Sequence, residues 1–205
     1  MRTECSLIIL VRHGKSEYSA SYRRASLRDM KRILVEYDLA GIAQDSHPSN
    51  AVVTRASEAD LIVCSDLPRS IASAAKLAGE KQVVIDAIFR EPELPVPRFG
   101  WRLTAPPALW VGILRTLWLF RLVTGEVESP QAVWSRAQSA ASTLICLSRE
   151  YGGVMLVGHS LFNFLVGYIL VRKGWSGSAC FQGHWDSNTY IHGQEEGSSV
   201  ISWRR

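Results

Sequence analysis

Two short apolar runs constrain the fold of this chain more than any other feature of its sequence. Leu7–Val11 and Val154–Val157 have the length and composition of buried strands. The first run leads directly into Arg12 and His13, and the second leads through a glycine into His159. In α/β proteins with parallel sheets, ligands bind at the carboxyl ends of the strands. The sequence therefore predicts two strands that each bring a histidine to the ligand-binding edge of such a sheet.

Strand and helix patterns alternate along the chain, which predicts an α/β fold with three layers, α/β/α, around a mostly parallel central sheet. The length of 205 residues fits a single domain, residues 1–205. The predicted strands cover residues 6–12, 59–64, 83–85 and 154–157, with short strands completing the sheet within 178–203. The predicted helices cover residues 20–38, 108–123, 130–151 and 160–172, and a further one capped by Ser65 and Asp66 that ends near Gly79. A loop is expected around residues 41–50, and five prolines make residues 90–108 largely irregular.

Composition and charge narrow the classes of ligand. Hydrophobic residues make up 47% and charged residues 20% of the chain, as in ordinary globular proteins. The net charge of +4 suits an anionic ligand. Nucleic acid is not expected as a partner, because the sequence has no stripe of interleaved basic and aromatic residues. The four cysteines form no CxxC pair, which is typical of free thiols in a reducing compartment and indicates neither a disulfide framework nor a metal site.

The most apolar stretch, Leu109–Val123, is shorter than the roughly 20 residues that cross a bilayer and contains two arginines. The first residues lack the length and the cleavage site of a signal peptide. We therefore expect a cytoplasmic protein with no membrane partner, and a homodimer is compatible with the sequence. Trp110 and Trp118 are expected to face the core or an oligomer contact. The alternative is that their helix forms an apolar roof over the site.

Three junctions between a predicted strand and the segment after it carry polar groups suited to one chemistry. Arg12 and His13 lie at the first junction, Arg69 opens the helix after the second strand, and His159 opens the last helix. Parallel βαβ connections place all three at the same sheet edge. Two guanidiniums can bind phosphate oxygens, and helix N-terminal amides add partial positive charge. One neutral imidazole can attack phosphorus and a second, cationic imidazole can stabilise the charge, so the pattern favours a phosphoryl site.

Four motifs in this order resemble those of the histidine phosphatase superfamily, the phosphoglycerate mutase-like enzymes. Leu10–Glu17 is similar to the segment around the Arg-His-Gly motif of the family, and Cys64–Ser70 is similar to its second motif. Asp86–Glu91 resembles the segment that carries its acid, and Val157–Ser160 resembles its Val-Gly-His-Gly motif. The resemblance extends from residue 7 to about residue 165 and implies a phosphoglycerate mutase-like fold.

The resemblance also implies a metal-independent phosphomonoester hydrolase that uses no cofactor and acts on a small phosphorylated substrate. By this resemblance, His13 is the residue that is transiently phosphorylated. Arg12, Arg69 and His159 form the pocket that holds the phosphoryl group, and His159 also takes part in catalysis. Glu91 protonates the leaving oxygen and then activates water, as a general acid and base.

The chain departs from the family pattern at several positions. Ser19, a candidate phosphate-binding residue, stands where many members carry an asparagine, and Ser160 replaces the glycine after the second histidine. Glu93 lies in the same proline-bounded segment as Glu91 and is the alternative acid. Residues 95–101 take the place of a tryptophan-glutamate-glycine stretch of the mutases, which favours a phosphatase over a mutase.

Three other functions stay open on the sequence. Phosphoglycerate mutase-type phosphoryl transfer and non-catalytic binding of a phosphorylated ligand require the same pocket. The third is a serine hydrolase, because Ser160 follows a strand and opens a helix, with Asp186 and His192 in the chain order of a triad. Phe162 argues against this hydrolase, because the nucleophile elbow requires a glycine there. His184 and His192 are otherwise expected to be surface or structural residues.

Overall fold

A sheet of five strands forms the centre of the protein in the computed structural model, which describes residues 6–18, 23–97, 103–123 and 127–193. Ser19 lies outside the described residues, as does the end of the segment 95–101. The strands are β1 (Ser6–Arg12), β2 (Ala25–Ser26), β3 (Leu61–Cys64), β4 (Val83–Ile85), β5 (Thr104–Ala105), β6 (Gly153–Gly158) and β7 (Ser187–His192). The helices are α1 (Leu27–Leu39), α2 (Asn50–Glu58), α3 (Pro68–Ala78), α4 (Pro107–Leu119), α5 (Pro130–Tyr151) and α6 (Ser160–Arg172), and Ala87–Phe89 forms a 3₁₀ turn.

The sheet has the strand order β4-β3-β6-β1-β7, and β2 and β5 form a separate pair. The first four strands of this order run parallel, and β7 lies antiparallel to β1 at the edge. The predicted α/β fold with a mostly parallel sheet is therefore confirmed. Leu10 lies beside Leu156 and Arg12 beside Gly158, so β1 and β6 end at the same edge of the sheet.

Alternate side chains of β1 enter two different hydrophobic clusters. Ile8 and Leu10 belong to a cluster that includes residues of α5 and α6. Ile9 and Val11 belong to a second cluster, which includes residues of α2 and α3. Because side chains alternate between the faces of a strand, the helices cover both faces of the sheet and form the predicted three layers. A strand covered on both faces is a continuous apolar run, as Leu7–Val11 is.

A third hydrophobic cluster joins α1 to α4. It contains Met30, Ile33, Trp110 and Leu114, and the indole N–H of Trp110 donates to the carbonyl oxygen of Ala25 at 2.7 Å. The β2–β5 pair connects the same two helices at their N-terminal ends. We refer to α1, α4 and the β2–β5 pair as the cap.

Burial confirms the core alternative for the two tryptophans of α4. Trp110 and Trp118 are each 3% exposed. The helix ends at Leu119, before the predicted end at residue 123. None of the helices in the described part of the chain is both long and apolar enough to cross a membrane.

Two helices differ from the sequence prediction, and each begins directly after a serine that caps it. α1 begins at Leu27 instead of residue 20, because Ser26 and Asp29 form a capping box in which each side chain accepts from the other residue's backbone N–H. α2 occupies residues that were not predicted to be helical. Its cap is Ser49, whose side chain accepts from the N–H of Val52.

The predicted caps of α3 have another role. Leu67 is the N-cap of this helix and provides no side-chain hydrogen bond. Ser65 is bonded instead to the His159 ring, and Asp66 forms an ion pair with Arg90. The prediction that Ser65 and Asp66 cap α3 is therefore wrong, because one side chain bonds to the residue after β6 and the other to the residue after the 3₁₀ turn.

Candidate active site

Strand pairing brings the two predicted histidines together at the carboxyl ends of β1 and β6. The backbone N–H of His13 donates to the carbonyl oxygen of Gly158 at 3.0 Å. The centroids of the His13 and His159 rings lie 5.1 Å apart in an edge-to-face arrangement. Arg12 and Arg69 line the same cleft as the two histidines. The structure therefore places these four residues at one edge, as the sequence predicts.

His13 is buried, with 2% of its surface exposed. Its Nδ1 lies 2.7 Å from the carbonyl oxygen of Gly14. Because a carbonyl can only accept, Nδ1 carries the proton and the lone pair of the neutral ring is on Nε2. Burial, together with the nearby charges of Arg69 and Arg12, lowers the pKa of His13 to about 3. At neutral pH the residue is an uncharged imidazole with one nucleophilic nitrogen.

Gly14 is required by the close packing of Trp185 against the end of β1. A Cβ atom at residue 14 would lie 2.6 Å from the indole and 2.7 Å from the Oγ atom of Ser46. Ser46 is itself fixed, since its Oγ accepts from Nε1 of Trp185 at 2.9 Å and from the N–H of Lys15 at 2.8 Å. A side chain at residue 14 would therefore displace Trp185 or Ser46.

His159 is 1% exposed and precedes the first turn of α6. Its Nε2 lies 2.7 Å from Oγ of Ser65. Its Nδ1 is buried and has no hydrogen-bond partner among the described residues. Burial, together with the charges of nearby arginines such as Arg69 and Arg12, lowers the pKa of His159 well below its usual value. These surroundings favour the neutral ring of His159 in the unliganded site, and the cationic second imidazole stays a prediction.

The guanidiniums of Arg12 and Arg69 each donate some of their hydrogen bonds to other groups of the protein. Arg69 is 2% exposed, and its Nη1 donates to the carbonyl oxygen of Tyr37 at 3.0 Å and to Oδ1 of Asp38 at 3.1 Å. Arg12 donates from Nη1 to the carbonyl oxygen of Gln182 at 2.9 Å. Within the described chain, Nε of each arginine is buried without a hydrogen-bond partner. An unpaired buried donor costs about 1–3 kcal/mol, and a bound anion that accepts from it removes that cost.

The environment of Glu91 differs from that of Glu93. Glu91 is partly buried and Glu93 is exposed, although both line the cleft. Oε2 of Glu91 accepts from the N–H of Phe162, in the first turn of α6, at 3.2 Å. Burial raises the pKa of Glu91, and the charge of Arg115 opposes this effect. A carboxyl group with a raised pKa is better suited to donate a proton near neutral pH, so the surroundings favour Glu91 as the acid.

Two arginines hold the segment that carries Glu91. Arg136 of α5 donates from Nη1 to the carbonyl oxygens of Ile88 and Arg90, at 2.8 Å each. Arg115 of α4 donates to the carbonyl oxygen of the residue after Glu91 at 3.0 Å. The segment of the candidate acid is thus held by α5 on one side and by α4 of the cap on the other.

Two titratable residues lie at the site without being predicted from the sequence. The ring centroid of His184 lies 5.6 Å from that of His13, although His184 was expected to be only a surface or structural residue. Asp38, with 49% of its side chain exposed, forms the ion pair with Arg69. No local pattern marks either residue, because His184 precedes the antiparallel edge strand and Asp38 lies in the last turn of α1.

A cleft of about 1180 Å³ extends from the histidines to the cap. Its inner end is formed by Arg12, His13, Arg69, Glu91 and His159. Its walls are one face of α1, the segment 92–97 and one face of α4. The apolar helix α4 therefore buries Trp110 in the cap and also forms part of the roof over the site.

The geometry contradicts a serine hydrolase. His192 pairs with Ser6 at the start of β1, whereas Ser160 lies beyond the opposite end of the sheet. At about 3.3 Å per strand residue, the length of β1 separates these two positions by roughly 20 Å. Oγ of Ser160 donates instead to the carbonyl oxygen of Gln182 at 3.1 Å.

The described residues contain no group of three or more His, Cys, Asp and Glu side chains placed to hold a metal ion. The positive charge at the inner end of the cleft comes from Arg12 and Arg69.

Comparisons with known proteins agree with this fold. The family model described as histidine phosphatase superfamily (branch 1) matches residues 8–204. Mycobacterial hydrolase 2 has a TM-score of 0.61 and 20% sequence identity, over 95% of this chain and 85% of that chain. Mycobacterial glucosyl-3-phosphoglycerate phosphatase in complex with VO3 has a TM-score of 0.55 and 20% identity, over 90% of each chain.

A phosphoglycerate mutase from Bacillus anthracis has a TM-score of 0.59 and 13% identity, over 94% of this chain and 92% of that chain. This match confirms the predicted phosphoglycerate mutase-like fold. The sequence has no match among curated proteins.

Proposed function

Because the chain belongs to branch 1 of the histidine phosphatase superfamily, we propose that it hydrolyses phosphomonoesters through a phosphohistidine at His13. The superfamily and the similar structures include phosphatases and a mutase, which act on phosphorylated compounds. The observation that carries the proposal is the neutral, buried His13 with Nδ1 bonded to a carbonyl oxygen, beside three buried nitrogens that have no hydrogen-bond partner in the described parts of the chain. These nitrogens belong to Arg12, Arg69 and His159.

In the proposed first step, Nε2 of His13 attacks phosphorus and the ester P–O bond breaks. The departing oxygen takes a proton from Glu91, so the alcohol leaves neutral and the carboxyl becomes a carboxylate. The phosphorylated ring carries a positive charge, and the Gly14 carbonyl that accepts from Nδ1–H stabilises it. The raised pKa of Glu91 supports the assignment of this residue as the proton donor.

In the proposed second step, the Glu91 carboxylate removes a proton from water as the water oxygen attacks phosphorus. The P–N bond breaks, and inorganic phosphate and neutral His13 are regenerated. The guanidiniums of Arg12 and Arg69 and an N–H of His159 bind the equatorial oxygens, where negative charge is concentrated. In this scheme these groups supply the stabilisation and no metal ion takes part.

Ligands named for similar structures agree with this pocket. The mycobacterial glucosyl-3-phosphoglycerate phosphatase binds VO3 in one structure and inorganic phosphate in another. Vanadate and phosphate are oxyanions that match the donors at the inner end of the cleft. We expect both to bind this chain there and to inhibit hydrolysis competitively.

The test is hydrolysis of an aryl phosphate in the presence of a chelator, comparing wild type with His13→Ala. Removal of the nucleophile should lower kcat more than about 1000-fold and abolish the acid-labile phosphoprotein seen on quenching. His192→Ala is the matched control, and this variant should retain activity. His192 is exposed and lies beside Ser6, at the end of β1 that is remote from His13. No turnover and no phosphoprotein in the wild type would overturn the proposal.

The same assay separates the two remaining alternatives. A mutase-type enzyme would pass the phosphoryl group from the phosphohistidine to an added phosphoglycerate faster than to water. A non-catalytic phospholigand-binding protein would bind phosphate without forming a phosphoprotein.

A further inference from the structure

The cleft continues beyond its charged inner end into a space with exposed aliphatic walls. Val35 of α1 is 55% exposed, Val111 of α4 is 39% exposed and Leu122 is 72% exposed, and all three line the cleft. Leu94 and Val96 of the opposite segment line it as well. Aliphatic groups that face a concave, solvent-filled space lose contact with water when an apolar ligand covers them, and this release favours binding.

Few polar groups are available in this outer part. Among the described residues that line the cleft there is no Asn, Gln or Thr, Tyr18 and Tyr37 carry phenol hydroxyls, and Ser160 donates its hydroxyl to a backbone carbonyl. Arg115 donates to carbonyl oxygens of the segment 92–97, and Asp38 is paired with Arg69. The other charged side chains, Lys31 and Glu93, are exposed to solvent. A sugar or a nucleoside carries more hydroxyl and amide groups than these few side chains can pair, and each group that is buried without a partner is costly.

The size of the cleft also favours a substrate with a large group attached to the phosphoryl group. Its volume of about 1180 Å³ exceeds the range of about 300–1000 Å³ that small-molecule sites commonly occupy. The phosphoryl group fills only the inner end, between the histidines and Arg69. The remaining volume lies between α1, the segment 92–97 and α4.

From these observations we propose that the preferred substrates are phosphomonoesters of long aliphatic alcohols. The proposal rests on the proposed function and assigns its substrate class. The phosphoryl group binds at His13, and the hydrocarbon chain lies along Val35, Val111 and Leu122. Each additional methylene that enters the cleft raises affinity by up to about fourfold, which corresponds to about 0.8 kcal/mol.

The experiment measures kcat/KM for monoalkyl phosphates from ethyl to octyl, all below their micelle concentrations, with a hexose monophosphate as a polar substrate of similar size. The expected result is a rise of two- to fourfold per methylene, carried mainly by KM, and a lower value for the hexose phosphate than for octyl phosphate. A flat or falling series, or a hexose phosphate that exceeds octyl phosphate, overturns the assignment of substrate class.

Two exposed positions on α4 provide matched variants. Val111→Asp places a charge in the cleft and should lower the ratio of kcat/KM for octyl phosphate to that for ethyl phosphate at least tenfold. Leu109→Asp places the same charge on the same helix at a residue that is 54% exposed and does not line the cleft, and this ratio should be unchanged. Equal ratios in the two variants would overturn the proposed path of the chain.

Binding of non-hydrolysable alkylphosphonates, measured by calorimetry, separates this proposal from the proposed function. If no ester is hydrolysed but Kd still falls with chain length, the hydrolase assignment fails and the apolar ligand class stands. If esters are hydrolysed but Kd does not depend on chain length, the ligand class fails and the hydrolase assignment stands.

Discussion

The sheet edge and the cap meet across one cleft, but they are stabilised in different ways. At the sheet edge, His13 and His159 follow strands that are paired on both sides and buried on both faces. The cap has its own small cluster around Met30 and Trp110, and its β2–β5 pair contains two residues per strand. The edge holds the groups proposed for chemistry, whereas the cap supplies the apolar walls. The two regions are linked at two points, because Arg115 of α4 holds the segment of Glu91 and Asp38 of α1 pairs with Arg69.

The strongest test of this division is at the edge itself. Glu91→Gln removes the proposed proton donor and should lower kcat for alkyl phosphates by about 10²–10⁴. Wild-type activity should fall as pH rises through the raised pKa of Glu91, because only the protonated carboxyl can donate, and the variant should lack this decline. Steady-state kinetics across pH provides the measurement.

Aryl phosphates sharpen this test, because their leaving groups need less protonation. The loss in Glu91→Gln should be smaller for an aryl than for an alkyl ester. Equal losses for the two classes would show that Glu91 does not act on the leaving group. Glu93→Gln is the matched control, since Glu93 is an exposed carboxylate of the same segment and should retain the alkaline decline.

The second test asks whether the cap opens independently of the sheet. Trp110→Ala removes a buried indole and its hydrogen bond to Ala25, and should destabilise the packing of α1 on α4 by about 3–5 kcal/mol. Amide hydrogen exchange should quicken in α1 and α4 while β1 and β6 stay protected. Leu156→Ala in the sheet core is the comparison, and it should quicken exchange throughout. Equal loss of protection in both regions of Trp110→Ala would contradict the division.

The smallest expected effect is at the point where the two regions touch. Asp38 of α1 forms an ion pair with Arg69 and so competes with a bound anion for this guanidinium. Asp38→Asn should therefore lower the inhibition constant of inorganic phosphate by up to about fivefold. Glu36→Gln is the control, because Glu36 is exposed on the same helix, pairs with Arg32 and does not line the cleft. Weaker inhibition in Asp38→Asn would indicate that the pair positions Arg69 for the anion rather than competing with it.

The regions also differ in how far the sequence predicts them. β1 and β6 were predicted almost to their ends, because strands covered on both faces are continuous apolar runs. Arg12, His13, Arg69 and His159 were placed at one edge because parallel strands and short connections leave little choice of geometry. Their chemical roles remain predictions that the variants above test.

Features set by tertiary contacts were not predictable in this way. α2 has two buried residues, Val52 and Ala56, which is too few for a clear helical period. The neutral state of His159 depends on burial and on neighbouring charges that only the assembled fold supplies. His184 and Asp38 reach the site from a loop and a helix end whose positions depend on packing.

The position of β1 in the sheet has a consequence for synthesis of the chain. Both neighbours of this first strand come late: Leu7 lies beside Gly153 of β6 on one side and Ile191 of β7 on the other. While the ribosome is still adding α1 to α5, the apolar run Leu7–Val11 has neither partner strand to pair with. Non-local pairing of this kind folds slowly, and unpaired apolar strands aggregate readily. The nascent chain is therefore prone to aggregate through this segment until β6 and β7 have emerged.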